Sequence, residues 1–406
     1  MSGRIVEGWT AQFALMLLVA TVVAAVARRF RVPYEVALVL TGLAIAAPHV
    51  FSLPSLDPGL LLFAFLPPLL FDASFRIDVR ELRAVARPVA LLAVPGVLLT
   101  AVLVGSAVAW LLGLPLATGL LFGSIVAATD PVAVVALMRQ LHLPPRMSVV
   151  SEAESLINDG MAITLYIVFL ELSLGHAIGL GGALGLLATE VVGGLAVGAA
   201  LGFAFSRATA LIDDPLIEMT LSTALAFGSY LLADSLHMSG ALACVAAGLV
   251  HGSYGREVGM SNRTSERLDL LWEYLGFAAN AIIFLLVGFT ADLGAFVRNL
   301  WPVVVAVLAV LVARVVVVEL VGVLMARSAA SISPRERLVL VWAGLRGALT
   351  LALALGLPLA VPHRALLIDM AFGVVLVTLV GLGLTLPVLV RRLDLPRETG
   401  ARAPMI

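Results

Sequence analysis

Charge is scarce in this chain. Only 13% of its 406 residues are Asp, Glu, Lys or Arg, against roughly a quarter in a soluble globular domain. That shortage excludes a soluble enzyme, a disordered protein and a nucleic-acid binder. Cysteine occurs once, at Cys244, which excludes a disulfide framework and any Cys-based metal site. The six histidines, His49, His142, His176, His237, His251 and His363, fall mostly at segment ends, and none forms a ligand pair. Lysine is missing altogether; all 25 basic residues are arginine, which reads as genomic base composition. The net charge of −1 says nothing about partners. What is abundant is apolar surface: 61% of residues are hydrophobic and the mean hydropathy is +1.10. The chain is expected to be an all-α polytopic membrane protein, its spans near ~20 apolar residues each.

Apolar stretches of helical length fall at about 9–27, 34–51, 58–75, 88–112, 116–138, 147–172, 178–205, 215–234, 238–253, 266–289, 301–326, 335–359 and 364–390. The seventh and thirteenth are long enough to tilt. The first lacks a small-residue cleavage site and reads as a span, not a signal peptide. No soluble regulatory domain is expected, and residues 1–406 read as one transmembrane unit. Arginine tests the count. Arg28, Arg29 and Arg31; Arg76, Arg80, Arg83 and Arg87; Arg139 and Arg146; Arg207; Arg256, Arg263 and Arg267; Arg327, Arg335 and Arg337; and Arg391, Arg392, Arg397 and Arg402 all fall in alternate connections or the tail. The opposite side holds only Arg4, Arg298 and Arg364. Positive residues stay cytoplasmic, so the N-terminus is expected outside and the C-terminus inside.

A charge at the bilayer centre costs about 2.5–3.5 kcal/mol on insertion scales. Asp130 lies nine residues before Arg139 and Asp159 thirteen after Arg146, so they sit roughly 14 Å and 20 Å deep. Both approach the midplane of a ~30 Å core on consecutive antiparallel segments. In the fifth segment, Thr129-Asp130-Pro131 puts a proline in mid-helix and frees backbone groups; lining an ion cavity is one of the few places such backbone is allowed. The sixth segment gathers Glu152, Glu154, Ser155, Asn158 and Asp159. Ser155 and Asp159 share a helix face and offer hard oxygen ligands suited to a small alkali cation. In the twelfth segment Arg346 stands between Gly344 and Gly347, at about the depth of Glu154, which makes a buried Glu154–Arg346 pair plausible. Arg314 and Glu319 are a weaker candidate pair. Glu190 and Asp369 read as satisfied interhelical hydrogen bonds. Asp72 lies just inside the arginine-rich surface, where it either receives ions or pairs with loop arginines.

The interrupted fifth and twelfth segments stand at corresponding places in two halves of six. A seven-segment offset inverts one half against the other, the sequence pointer to a transporter site at a repeat interface. The seventh segment carries Gly194, Gly198 and Gly202 at four-residue spacing, a close-packing face that meets either its own bundle or another subunit.

TDPVAVVAL, ESLINDG and AGLRGALTLALAL, in this order and spacing, with SGALACVAAGLVHG and NAIIFLLVG, resemble the monovalent cation:proton antiporter-1 family, the NhaP/NHE sodium/proton exchangers. The resemblance covers Trp9 to about Arg391. It implies thirteen helices with crossed, broken helices five and twelve, a mobile core including helices 3–6 and 10–13, and scaffold helices that form a homodimer in a bacterial plasma membrane. It also implies that Asp159 is the exchanging carboxylate, Asp130 and Asn158 are core polar partners, and Ser155 and the Thr129 carbonyl are Na+ ligands. Glu154–Arg346 becomes the buried pair, and Asp72 matches an acidic position in helix three of some members. The implied partners are monovalent cations, protons and lipid, with no cofactor and no nucleic acid. One carboxylate binding either Na+ or H+ gives electroneutral one-for-one exchange, and Asn158 avoids the second titratable charge of electrogenic relatives. A channel or uniporter lined by the same acids is the alternative. A membrane-embedded enzyme is disfavoured, because no nucleophile–base or metal constellation lies near the midplane.

Overall fold

The computed structural model describes residues 2–30, 34–46, 58–131, 134–135, 138, 143–176, 179–290, 293–328 and 331–393. Arg31, Arg139, Arg397, Arg402, His49 and His142 lie outside the described residues. The described chain is helical, with no strand. The helices are α1 (Ser2–Phe30), α2 (Tyr34–Ala46), α3 (Pro58–Arg76), α4 (Ala86–Leu112), α5 (Leu116–Ile125), α6 (Pro145–Ser173) and α7 (Leu184–Thr209). They continue as α8 (Pro215–Ser235), α9 (Gly240–Val250), α10 (Asn262–Thr290), α11 (Leu300–Leu324), α12 (Pro334–Trp342), α13 (Ala348–Leu355) and α14 (Arg364–Leu393). Among the described residues seven helices have the length and composition to cross a membrane, beside shorter apolar helices at 14–27, 34–45 and 116–125.

Local chemistry sets the ends. Asp214 accepts hydrogen bonds from the Leu216 and Ile217 amides, with Pro215 opening α8. Ser333 and Glu336 form a reciprocal capping box ahead of α12, satisfying amides that helix geometry leaves without partners. Three π-helical turns, Thr189–Gly193 in α7, His251–Gly255 after α9 and Thr378–Leu382 in α14, interrupt the regular winding.

Two groups of helices emerge from the packing. One contains α4, α5, α6, α11 and α14, where α4 crosses α5 closely and α11 lies on α4 and α14. The other contains α2, α3, α7, α8, α9 and α10. The family resemblance puts the third and tenth segments in the core; here α3 packs chiefly on α9 and α10, and α10 chiefly on α2. Small residues are the reason. Gly248 and Gly252 let α9 close on Ser74 and Phe75 of α3, while Gly42 and Gly288 let α2 and α10 meet backbone to backbone.

The glycine face of α7 is decided as well. Gly194 lies against the Ser239 carbonyl, Gly198 against Ala243 and Gly202 against Ala247, so the face docks on α9 of its own bundle. A side chain at Gly198 would meet the Ala243 backbone, which has no rotamer with which to yield. We expect Gly198→Val to lower stability by the upper end of ~1–3 kcal/mol. Gly228→Ala in α8, where a Cβ meets nothing within 4 Å, should be neutral or slightly stabilising. Thermal unfolding of the detergent-solubilised variants reads both; equal melting temperatures would rule out the α7–α9 contact as built.

Candidate ion-exchange site

The site is built where two helices stop. α5 ends at Ile125 and the chain runs irregularly through Pro131, because the residue before a proline is pushed out of helical conformation. Helical bonding resumes with the Val135 amide on the Pro131 carbonyl, 2.8 Å. α12 ends at Trp342, and Gly344 to Gly347 have no regular structure before α13. The breaks cross and bond to each other: the Asp130 amide donates to the Leu345 carbonyl at 2.8 Å. Gly347 is required there, since any Cβ would collide with the Asp130 carboxylate. Asp130 therefore sits at the N-terminus of α13, where the helix dipole favours an anion.

α6 faces this crossing. The Thr129 and Ser155 hydroxyls share a hydrogen bond of 2.8 Å, and Asn158 Nδ2 donates to Thr129 Oγ1 at 2.9 Å. Asn158 thus ties α6 to the α5 break, and it is not among the residues lining the cavity. Asp159 is: its Oδ1 is buried with no hydrogen-bond partner, and Asp130 and Arg346 are its charged neighbours. A cavity of about 770 Å³ connects this point to the arginine-rich face. Thr129, Asp130, Ser155, Asp159 and Thr350 line its deep end; Asp72, Arg76, Arg256, Asp269 and Glu273 line its mouth. Asp72 lines the cavity and forms a 2.7 Å ion pair with Arg76. Arg76 also donates to the Asp269 carbonyl at 3.2 Å, and Arg256 pairs with Asp269 while lying 4.4 Å over the Phe75 ring.

The buried ion pair is not the one depth suggests. Glu154 pairs with Arg314 of α11 through both carboxylate oxygens, with Nη2–Oε2 at 3.0 Å. The same guanidinium donates to the Leu340 carbonyl from Nε at 3.2 Å and Nη2 at 2.9 Å, satisfying a carbonyl in the last turn of α12. Arg346 is 1% exposed; its Nη1 donates to the Gly344 carbonyl at 2.9 Å and its Nε has no partner. Its charged neighbours are Arg314, Glu154 and Asp159. The expected Glu154–Arg346 pair fails because helical rise gives depth alone, and Arg314 offers a planar fork at the same level. The candidate Arg314–Glu319 pair fails with it: Glu319 pairs with Arg337 at 3.2 Å.

Of the other intramembrane acids, Asp369 accepts from Asn299 at 2.7 Å, as expected of an interhelical bond. Glu190 departs from that expectation, its Oε2 buried without a partner. Glu35, which sequence reasoning overlooked, is buried in the first turn of α2 with Asp130 as a charged neighbour. The signal was an acid beginning an apolar helix, which reads as ordinary N-terminal charge.

The family model for the transmembrane sodium/hydrogen exchanger matches residues 15–392. The chain belongs to this family. The Na(+)/H(+) antiporter NhaH of Halobacillus dabanensis is 35% identical to this exchanger over 404 residues, covering 95% of this chain and 98% of the relative. The Na(+)/H(+) antiporter ApNhaP of Aphanothece halophytica is 36% identical over 374 residues, covering 92% and 72%. The structure of the sodium proton antiporter MjNhaP1 of Methanocaldococcus jannaschii has the same fold: TM-score 0.80, 22% identity, 97% of this chain and 99% of that one. The exchanger is accordingly a multi-pass integral membrane protein, of a family of transporters and not of enzymes.

Removing either member of a buried pair strands the other, typically at ~3–5 kcal/mol. Glu154→Ala and Arg314→Ala should each lower the melting temperature sharply, and the double variant should recover part of the loss, a coupling of about 0.5–3 kcal/mol. The cycle of Glu154→Ala with Arg346→Ala should show the smaller coupling. A reversed order would reinstate the Glu154–Arg346 pair.

Proposed function

We propose that the chain exchanges Na+ for H+ across the membrane, one for one and without net charge movement, by alternating exposure of Asp159 to the two sides. The observation carrying this reading is the buried Asp159 oxygen without a partner at the deep end of the cavity. A buried carboxylate oxygen left without a partner is costly. Either a proton or a small cation relieves the cost, and not both at once. Asp159, Thr129 and Ser155 supply oxygen ligands for the cation, while Asp130 holds the crossing together.

Charge arithmetic supports the stoichiometry. Asp130, Glu154 and Asp159 bring three negative charges to the crossing; Arg314 and Arg346 bring two positive ones. One negative charge is left, matched by one Na+ or one H+. The count requires Glu35, the acid beside Asp130, to stay neutral through the cycle.

A channel reading is disfavoured by what lies beyond the site. Gly160 of α6 packs on Leu242 of α9, and Thr164 Oγ1 reaches Ser239 Oγ at 3.4 Å, so α6 and α9 meet on the side opposite the cavity. Exchange then requires the group holding α4, α5, α6, α11 and α14 to move past the group holding α2, α3 and α7–α10. The arginine-rich face is cytoplasmic in this reading, which puts the N-terminus outside, in a bacterial plasma membrane. The unit in the membrane is a homodimer, as the family resemblance implies.

Three outcomes test the proposal in proteoliposomes with Na+, Li+ and K+. Asp159→Asn should abolish cation-coupled proton movement in a protein that still inserts and melts cooperatively; retained exchange above roughly a tenth of wild type assigns the role elsewhere. Because protonation of Asp159 displaces the cation, the wild-type rate should fall as pH falls, and that acid limb should move to lower pH as Na+ is raised. An acid limb indifferent to Na+ would argue for a separate pH sensor. With voltage clamped by K+ and valinomycin, rate and end-point should not depend on potential; an end-point that shifts with voltage would replace the one-for-one stoichiometry.

A further inference from the structure

Thr350 is a buried threonine with nothing to bond to. It is 0% exposed and its Oγ1 has no hydrogen-bond partner. Threonines in the helices of this chain ordinarily donate to the carbonyl four residues earlier, as Thr41 does to Ala37, Thr100 to Gly96 and Thr164 to Gly160, at 2.8, 2.8 and 3.0 Å. Thr350 has no such option. It lies in the first turn of α13, and the residue four earlier, Arg346, belongs to the irregular break. The break that crosses α5 therefore also strips a hydroxyl of its usual acceptor.

Thr350 is among the residues lining the cavity that Thr129, Asp130, Ser155 and Asp159 also line. Leaving a buried hydroxyl unbonded costs free energy, and lining an ion path is a place where such a group is put to use. Its oxygen is a hard, uncharged donor of the kind alkali cations take. It also comes from the opposite helix: Asp159 and Ser155 stand on α6, Thr129 on the α5 break, and Thr350 on α13.

We propose that Thr350 Oγ1 is a ligand of the transported cation, contributed by α13 and completing an oxygen set otherwise drawn from α5 and α6. This rests on the exchange reading above and deepens it. Being neutral, the hydroxyl binds cation and leaves proton binding at Asp159 untouched. It therefore sets cation affinity, and the preference among Na+, Li+ and K+, without entering the charge arithmetic.

The test compares wild type with Thr350→Val, which keeps the volume and loses the oxygen, and Thr350→Ser, which keeps the oxygen. Exchange is measured in proteoliposomes with Na+, Li+ and K+, and Na+ binding to the solubilised proteins by calorimetry at alkaline pH. Thr350→Val should raise the apparent KM and the binding Kd for the preferred cation by about three- to tenfold, the scale of one lost polar contact. Its kcat at saturating cation should stay within about twofold, and Thr350→Ser should restore KM. A Thr350→Val protein with wild-type KM and Kd overturns the assignment and leaves the exchange reading standing. Parallel loss of kcat and melting temperature that Ser does not rescue also overturns it, as a packing role. A wild type that exchanges none of the three cations removes both readings.

Discussion

Inside a bilayer there is no water to satisfy a backbone amide or carbonyl, so a helix interrupted at mid-depth must find partners for every group it frees. Among the described residues two such interruptions cross, and they are satisfied by each other and by the helices beside them. The Asp130 amide meets the Leu345 carbonyl, the Thr378 hydroxyl takes the Arg346 amide at 3.2 Å, and the Arg314 guanidinium takes the Leu340 carbonyl. The rest of the site hangs on that mutual satisfaction. Once the breaks are pinned, Thr129 is presented to Ser155 and Asn158, and Asp130 is held at the start of α13. What remains over is the Asp159 carboxylate at the end of an aqueous cavity.

The arginines explain how so much acid is tolerated at this depth. Arg314 serves three needs with one rigid fork: it neutralises Glu154, caps α12 and braces α11 against α6. Lysine offers a single point charge and could not make these contacts together. Arg346 has no comparable bidentate partner, and its charge is spread over Glu154 and Asp159. The two guanidinium groups thus divide structural and electrostatic work. The first fixes helices; the second lies as the positive neighbour of Asp159.

Much of this was legible in the sequence, for physical reasons. An Asp-Pro step and a Gly-flanked Arg inside apolar runs are expensive, so they point to the breaks by themselves. Asp130, Asp159, Ser155 and Thr129 were found the same way, as polar residues in hydrocarbon. The partner of Glu154 was not legible, because counting residues from the surface fixes depth and leaves rotation about the helix axis undetermined. The placement of α3 and α10 was hidden for a related reason. Their allegiance is decided by Gly42, Gly248, Gly252 and Gly288, whose message is the absence of a side chain. Glu35 and Thr350 escaped because each is unremarkable in its own helix, and only the geometry of a neighbouring segment makes it unusual.

The π-helical turn at Thr378–Leu382 has a consequence for how α14 serves α12. In a regular helix, residues seven apart nearly share a face, drifting only ~20°. Thr378 and Thr385 are seven apart, yet the first bonds the Arg346 amide and the second takes the Trp342 indole N–H at 3.0 Å. The wide turn takes up one extra residue locally, so the seven residues turn through about the angle of six. Deleting one of these five residues would convert the wide turn to a regular one and leave the far end of α14 close to its present angular phase.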